Sequence, residues 1–271
     1  MTTQTKFKPL VSVLMSVHND QNTLYNCLIS IKNQTYTNWE LIICDDASTD
    51  KSSLILKEFS NKDHRIKLIN NHNNLGLAAS LNKCMKLARG KYIARMDADD
   101  VSLPKRFNIQ VDFLEKHPKC TIAGSSMIVK NDNGIAGVRN NISQLTSNAF
   151  LKGSPFFHPT IMMRRSALVA LGGYNTKVSR AEDLELWFRL YNMGFEGVNI
   201  QMPLYVYHET LNDLNKRTLK SAIDTSRVFY RGYRLISIPW YKRWVAIKPI
   251  ISSLMPNILL NYYHKLKLKL N

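Results

Sequence analysis

Gly90-Lys91-Tyr92-Ile93-Ala94-Arg95-Met96-Asp97-Ala98-Asp99-Asp100 runs a short apolar strand straight into three carboxylates packed within four positions. Carboxylates this close repel one another and raise each other's pKa, so a cluster that stays ionised at neutral pH holds a cation or faces fixed positive charge. All-oxygen ligands select Mg²⁺ or Mn²⁺. Mg²⁺ in particular is held by one or two protein carboxylates, with phosphate oxygens and waters completing its shell. The implied substrate is a phosphorylated one. A plainer reading covers one Asp of the three: Asp after a strand often caps the next helix, and Ser102-Leu103-Pro104 has the form of a helix entry with Pro in its first turn.

Around this stretch the first half of the chain alternates apolar strands with helical segments, the signature of an α/β sheet that is mostly parallel. Strands are expected at Leu10 to Val17, Leu41 to Cys44, Ile66 to Ile69 and Tyr92 to Met96, with helices near Thr23 to Asn33, Ser53 to Ser60 and Leu77 to Ala88. In open α/β sheets ligands bind beyond the carboxyl ends of the strands. Those ends carry Ser16 to Asn19, Asp45 to Ser48, Asn70 to Gly76 and Asp97 to Asp100, a polar edge of nucleotide-site composition. No Gly-x-Gly-x-x-Gly and no Walker loop is present, so phosphates must be neutralised by a metal on the Asp cluster, helped by Arg95. Farther on, a helix through about His117, a strand near Thr121 to Val129, an Asn- and Gly-rich loop at Asn131 to Asn141, a helix at Arg165 to Leu171, an amphipathic helix at Ala181 to Leu190 and a strand at Leu204 to Tyr207 indicate a mixed sheet.

With 271 residues, 45% hydrophobic and 21% charged, the chain buries one sizeable core plus an appended segment. Cys27, Cys44, Cys84 and Cys120 lack CxxC spacing and lie in apolar contexts, so they read as reduced core thiols of a cytoplasmic protein. No apolar signal region precedes the first strand, and no window offers the roughly 20 apolar residues of a spanning helix.

The net charge of +17 is uneven: from Leu214 onward twelve cations face Asp224 alone, a net of +11. Interleaved with them are Trp240, Tyr241, Trp244, Ile247, Ile250, Ile251 and Leu254, the mix expected of helices lying in an anionic bilayer interface. Nucleic acid ranks below membrane as a partner, since nucleic-acid faces seldom need this much aliphatic surface. Ordinary amphipathic helices packed on the core are the third reading. The expected organisation is a catalytic domain over 1–209 and a basic, aromatic helical tail over 210–271, peripherally associated with the inner face of the cell membrane.

Taken together, VSVLMSVHND (11–20), YNCLISIKNQTYTNWELIICDDASTD (25–50), NNLGLAASLNKCMKLARGKYIARMDADDVSLPKRF (73–107), GGYN (172–175) and AEDLELWFRL (181–190) resemble the inverting glycosyltransferases of family 2, with the GT-A fold. The similarity covers roughly residues 10 to 208. It implies an α/β GT-A domain that transfers one sugar from a UDP-sugar to a hydroxyl, with Mn²⁺ or Mg²⁺ as cofactor and a glycan or lipid-linked glycan as acceptor. The setting implied is capsule, O-antigen or exopolysaccharide biosynthesis. Position by position, Ser16 and His18 would line the nucleotide pocket, Asp46 would bond the uracil edge, and Asn74, Gly76 and Asn82 would shape the wall near base and ribose. Arg95, Asp97 and the adjoining Ala98 would meet the nucleotide-sugar, and Asp99 the metal, with His208 as a further metal or phosphate ligand. Asp100 reads as a structural cap, and His158 as an acceptor-pocket or core histidine.

Asp183 matches the family's catalytic base, which deprotonates the acceptor hydroxyl opposite the departing nucleoside diphosphate. Its place at a helix start, where the dipole favours ionised Asp, makes it an expectedly weak base. Two rivals remain. A sugar nucleotidyltransferase would need a Gly-rich basic loop near the N-terminus, which VLMSVHND lacks, and against a catalytically silent scaffold that binds nucleotide or glycan at the membrane stand the intact Asp46, Asp97, Asp99 and Asp183.

Overall fold

The computed structural model describes residues 8–131, 134–209 and 218–255. The ends of the expected domain and tail, including Lys216, Arg217 and the basic run at Lys265, Lys267 and Lys269, lie outside the described residues.

The N-terminal half is β1 (Val11–Val17), α1 (Leu24–Lys32), β2 (Trp39–Asp45), α2 (Ser52–Lys62), β3 (Ile66–Asn70), α3 (Leu77–Leu87) and β4 (Tyr92–Arg95). Next come β5 (Val101–Ser102), α4 (Arg106–Lys116), β6 (Cys120–Asn131), β7 (Gly134–Arg139), α5 (Ser147–Lys152), β8 (Met162–Arg164), α6 (Arg165–Ala170), α7 (Glu182–Asn192) and β9 (Glu196–His208). The chain continues into α8 (Leu219–Leu235), a 3₁₀ segment Trp240–Ile247 and α9 (Lys248–Leu254).

One mixed sheet holds all the strands in the order β3-β2-β1-β4-β8-β6-β9-β5, with β7 hairpinned onto β6. Strands β3, β2, β1 and β4 are parallel, and β8 enters antiparallel beside β4. β1 and β2 are buried on both faces, which is why they read as near-continuous apolar runs and not as alternating ones. Their side chains alternate between two core layers: Val13, Met15 and Val17 pack toward α1 and α4, while Leu14, Ile42 and Ile93 pack toward α3, α6 and α7. The chain passes β1 to β2 on one side and reaches β4 on the other, so the strand order reverses between β1 and β4. That reversal opens the crevice at which α/β sheets bind ligands.

Three local expectations change. Ser102 belongs to a two-residue strand paired with β9, because Val101 and Ser102 lie opposite Val206 and Tyr205, and the helix begins only at Arg106. The Asn- and Gly-rich stretch after Asn131 carries β7, its glycines breaking the apolar alternation. β9 is 13 residues long, since its pairing with β6 continues through a bulge where Pro203 sits opposite Ser126.

All four cysteines are buried and free, as expected of core thiols. Among the described residues no helix is long and apolar enough to cross a membrane. Helix α8 docks on α7: Phe188 stands edge-on to Phe229 and Tyr233, and the Tyr233 hydroxyl donates to the Phe150 carbonyl at 2.9 Å. Gly232 permits that approach, since a Cβ there would lie 2.1 Å from the Phe188 ring.

Candidate active site

At the carboxyl end of β1, Ser16 is half-buried and His18 turns its ring toward β2, with Nδ1 2.8 Å from the Asp46 carbonyl. A carbonyl only accepts, so Nδ1 carries the proton and Nε2 faces outward as an acceptor, reached by the Asn19 amide at 3.4 Å. Asp46 is buried and organises the loop after β3. Its Oδ1 accepts from the Leu75 N–H at 2.8 Å and the Asn71 amide at 2.7 Å, and its Oδ2 from the Gly76 N–H at 2.8 Å. With two acceptor sites per oxygen, Oδ2 keeps one position for a ligand donor. Gly76 has φ of +83°, and the Asn74 Oδ1 accepts its N–H at 3.1 Å. Nothing lies within 4 Å of a Cβ built there, so conformation and not space calls for glycine. Asp45 does the plainer work of a turn, accepting from the Ser48 N–H at 3.0 Å and from the Ser53 hydroxyl. Asn82 departs from the expected pocket wall: it clasps Tyr174, donating to its carbonyl at 2.7 Å and accepting its N–H at 2.8 Å.

The end of β4 delivers the acidic cluster. Asp97, Asp99 and Asp100 each offer a carboxylate oxygen within 4.8 Å of the others. Arg95, 3% exposed, forms an ion pair with Asp97, and its Nε is buried with no hydrogen-bond partner. Ala98, also buried, spaces the pair. Burial, then the neighbouring Asp97 charge, pushes the Asp99 carboxyl up to about 6 and that of Asp100 well above the usual range. Asp100 is a cap, as expected, but of β9 and not of a helix: its Oδ1 accepts the His208 N–H at 2.8 Å. His208 thus meets the cluster through its backbone, and among the described residues its imidazole is not one of the clustered ligand groups.

These carboxylates fit a divalent cation. Three mutually repelling groups converge, Asp99 and Asp100 are driven toward protonation by burial and then by that crowding, and the Asp100 Oδ2 is buried without any hydrogen-bond partner. The donor set is oxygen only, which suits Mg²⁺ or Mn²⁺.

The remaining carboxyl of the expected site stands at the start of α7, entered through Ala181 in a left-handed conformation, φ +59°. Asp183 sits in the first turn, and burial followed by the adjacent Glu182 charge pushes its carboxyl up to about 7. The dipole and backbone N–H groups work the other way and are outweighed, so Asp183 is a stronger base than its helix-start position implies. The Arg95 charge opposes the rise at both Asp99 and Asp183, and so acts on both sides of the crevice. His158 is a buried histidine whose Nε2 lies 2.8 Å from the Tyr174 hydroxyl, and burial beside Arg95 keeps its imidazole neutral.

Three residues that build this site escaped sequence reasoning. Arg106, fully buried, donates to the Arg95 carbonyl at 2.9 Å and the Ile161 carbonyl at 3.1 Å, fixing the end of β4. Tyr205 accepts the Asp97 N–H at 3.2 Å, and Arg106 stacks over its ring at 5.0 Å. Tyr174 is held by Asn82 and His158 between Arg95 and Asp183, whose charges move its phenol in opposite directions. For Arg106 the signal was its place two residues after Pro104, and for Tyr174 its place in GGYN (172–175); for Tyr205 nothing in the sequence distinguishes it from a core aromatic.

The mixed sheet with its strand-order reversal and polar strand ends has the architecture of the GT-A fold. The structure of Staphylococcus aureus TarS 1-349 in complex with UDP-GlcNAc shares this fold, with a TM-score of 0.69 at 19% identity over 90% of this chain and 71% of that one. The family model for Glycosyl transferase family 2 matches residues 12–172. The Bacillus subtilis (strain 168) protein named "Putative glycosyltransferase EpsE" is 42% identical over 260 residues, 95% of this chain and 94% of EpsE. The Escherichia coli UDP-Glc:alpha-D-GlcNAc-diphosphoundecaprenol beta-1,3-glucosyltransferase WfaP is 30% identical over 220 residues, 81% of this chain and 85% of WfaP. The chain belongs to glycosyltransferase family 2.

Proposed function

We propose that this glycosyltransferase moves a single sugar, with inversion, from a UDP-sugar to an acceptor hydroxyl on a lipid-linked glycan at the cytoplasmic face of the membrane. The pathway is the assembly of a surface polysaccharide such as capsule, O-antigen or exopolysaccharide. The observation that carries this reading is the buried Arg95, which pairs with Asp97 of the acidic cluster and whose charge also reaches the Asp183 carboxyl at the start of α7.

In the reaction Asp183 accepts the proton of the acceptor hydroxyl, the hydroxyl oxygen bonds to the anomeric carbon, and the carbon–oxygen bond to the diphosphate breaks on the opposite face. The bonding pair leaves with UDP. Arg95 supplies fixed positive charge beside that leaving group and holds Asp97 toward the sugar hydroxyls. Asp99, with Asp97 and the free oxygen of Asp100, would hold Mn²⁺ or Mg²⁺, which would stabilise the charge developing on the diphosphate. Ser16, His18, Asn74 and Gly76 would enclose the nucleoside, and the remaining acceptor position on Asp46 Oδ2 suits the N3–H of uracil. His208 would serve through its backbone and not as a metal ligand.

The acceptor half rests on the tail. Trp240 is 80% exposed and Trp244 62%, amid a segment of strong positive charge, and WfaP is named for a diphosphoundecaprenol-linked acceptor. Residues 1–209 would act as the catalytic domain and 210–271 as the part that meets the anionic membrane.

Calorimetric titration with UDP, GDP, CMP and TDP, with Mn²⁺ and with chelator, tests the donor half. Selective UDP binding that needs the metal and is lost in Asp99→Ala is the expected result. Failure of every nucleotide to bind would overturn the donor reading and leave the scaffold in its place.

A further inference from the structure

Outside the catalytic crevice, α8 and the segment after it enclose a groove of about 590 Å³. Its makeup is two-sided. Trp244, Ile247 and Ile250 form an apolar wall, and Arg227, Arg231 and Arg243 line the rest. Along α8 the groove residues Ile223, Arg227 and Arg231 recur every four positions and so share one face, distinct from the Phe229, Gly232 and Tyr233 face that packs on α7. Among the described residues Arg231 and Arg243 form no ion pair, while Arg227 shares Asp224 at 3.0 Å. Cations without acidic partners, set against apolar surface, are a shape for an amphiphile with a phosphorylated head.

The groove is also tied to the catalytic side. Asp224, beside Ile223, accepts the Ser179 hydroxyl at 3.0 Å, and Ser179 lies on the loop that leads into Asp183. From Ile223 to Arg231 the helix rises about 12 Å. The Ser179–Asp224 hydrogen bond thus joins the start of this helix face to the loop that leads into Asp183, which puts the groove on a course open to the linking phosphates and first part of the chain of a lipid-linked acceptor.

We infer that the groove binds the diphosphate end of a polyprenyl-diphosphate acceptor, Arg231 and Arg243 taking the phosphates and Trp244, Ile247 and Ile250 the first isoprene units. The inference rests on the lipid-linked acceptor proposed above and adds where this chain would hold it. Two guanidiniums without acidic partners match two phosphates, and Arg is the side chain suited to bidentate phosphate contact. Bulk anionic phospholipid, with one phosphate and two chains, matches the pair of cations less well.

The full chain is titrated with farnesyl diphosphate in the presence of chelator, so that no metal-held diphosphate in the donor crevice contributes, and the fluorescence of the exposed Trp240 and Trp244 is followed. A saturable blue shift is expected, with farnesol, inorganic pyrophosphate and dihexanoyl phosphatidylglycerol each at least tenfold weaker. Arg231→Gln and Trp244→Ala should each weaken farnesyl diphosphate at least tenfold while UDP binding with Mn²⁺ stays unchanged, which also checks that both variants fold. Equal binding of pyrophosphate would make the groove a bare anion site; equal binding of the short phospholipid would make it a general lipid site. Either result, or no binding to the full chain, overturns the inference. If farnesyl diphosphate fails yet the enzyme glycosylates a lipid-diphosphate acceptor, only the groove assignment falls. If it binds and no such acceptor is used, the acceptor reading falls instead.

Discussion

Asp183 combines two opposed influences on one carboxyl. The helix start favours its ionised form, and burial beside Glu182 favours the neutral one and prevails, bringing it to about 7. A base must be deprotonated, so turnover is expected to rise with pH through about 7; a rate that is flat from pH 5 to 8 under saturating substrates would exclude Asp183 as the base. Asp183→Asn should lower kcat about 10²- to 10⁴-fold. The linkage sign for stability runs the other way from the rate. The folded pKa lies above the ordinary value of 3.8, so the folded state binds this proton more tightly and its contribution is lost as pH rises from about 4 toward 7. Asp183→Asn should therefore melt no lower than the parent at pH 8, a difference that closes at pH 4, as thermal denaturation at the two pH values would record. Asp99, raised to about 6, gives a second titration: ligands must be deprotonated to hold a metal, so Mn²⁺ affinity should climb through pH 6 with release of protons. Calorimetry in two buffers of different ionisation enthalpy measures that release, and its absence at pH 6 would count against Asp99 as a ligand.

At the level of elements, the buried parallel strands announced themselves because runs such as VSVLMSV and WELIICD have few other places to go than a doubly covered sheet. The strand-end polar residues followed from that placement, and Asp97 and Asp99 from their crowding. The features that stayed hidden depend on partners distant in sequence. Tyr205 and Asp97 meet across 108 positions, and β5 exists only because β9 lies beside it. The net pKa of Asp183 likewise needed burial, which no local pattern reports. Helix α8 is a further case, since its charge suggested a surface segment while Gly232 and Tyr233 seat it on α7. That contact has little tolerance. A Cβ at Gly232 would meet the Phe188 ring at 2.1 Å, so Gly232→Val should cost about 1–3 kcal/mol by overpacking, or more if α8 lifts off. Urea unfolding of the variant checks it, and an unchanged midpoint would mean that α8 does not hold to α7 in solution.

At the scale of the whole molecule the charge is uneven: three carboxylates converge at the end of β4, and from Leu214 onward the chain carries twelve cations against Asp224 alone. An enzyme working on the lipid-borne acceptor proposed above would gain from this division, since a cationic end would draw the chain to an anionic surface while the acidic site kept its own electrostatics. Near such a surface each Lys or Arg is worth about 1 kcal/mol, an attraction that decays within the Debye length, roughly 30 Å at 0.01 M salt and 10 Å at 0.1 M. The full chain should thus bind phosphatidylglycerol vesicles strongly at low salt and bind phosphatidylcholine vesicles weakly. Raising salt to 0.5 M should release most of it, leaving the part due to the exposed Trp240, Tyr241, Trp244 and Leu254. Vesicle co-sedimentation across this salt range measures both components. Binding that ignores headgroup and salt would assign the attachment to the apolar side chains alone, and no binding at low salt would mean that the basic end serves something other than a membrane.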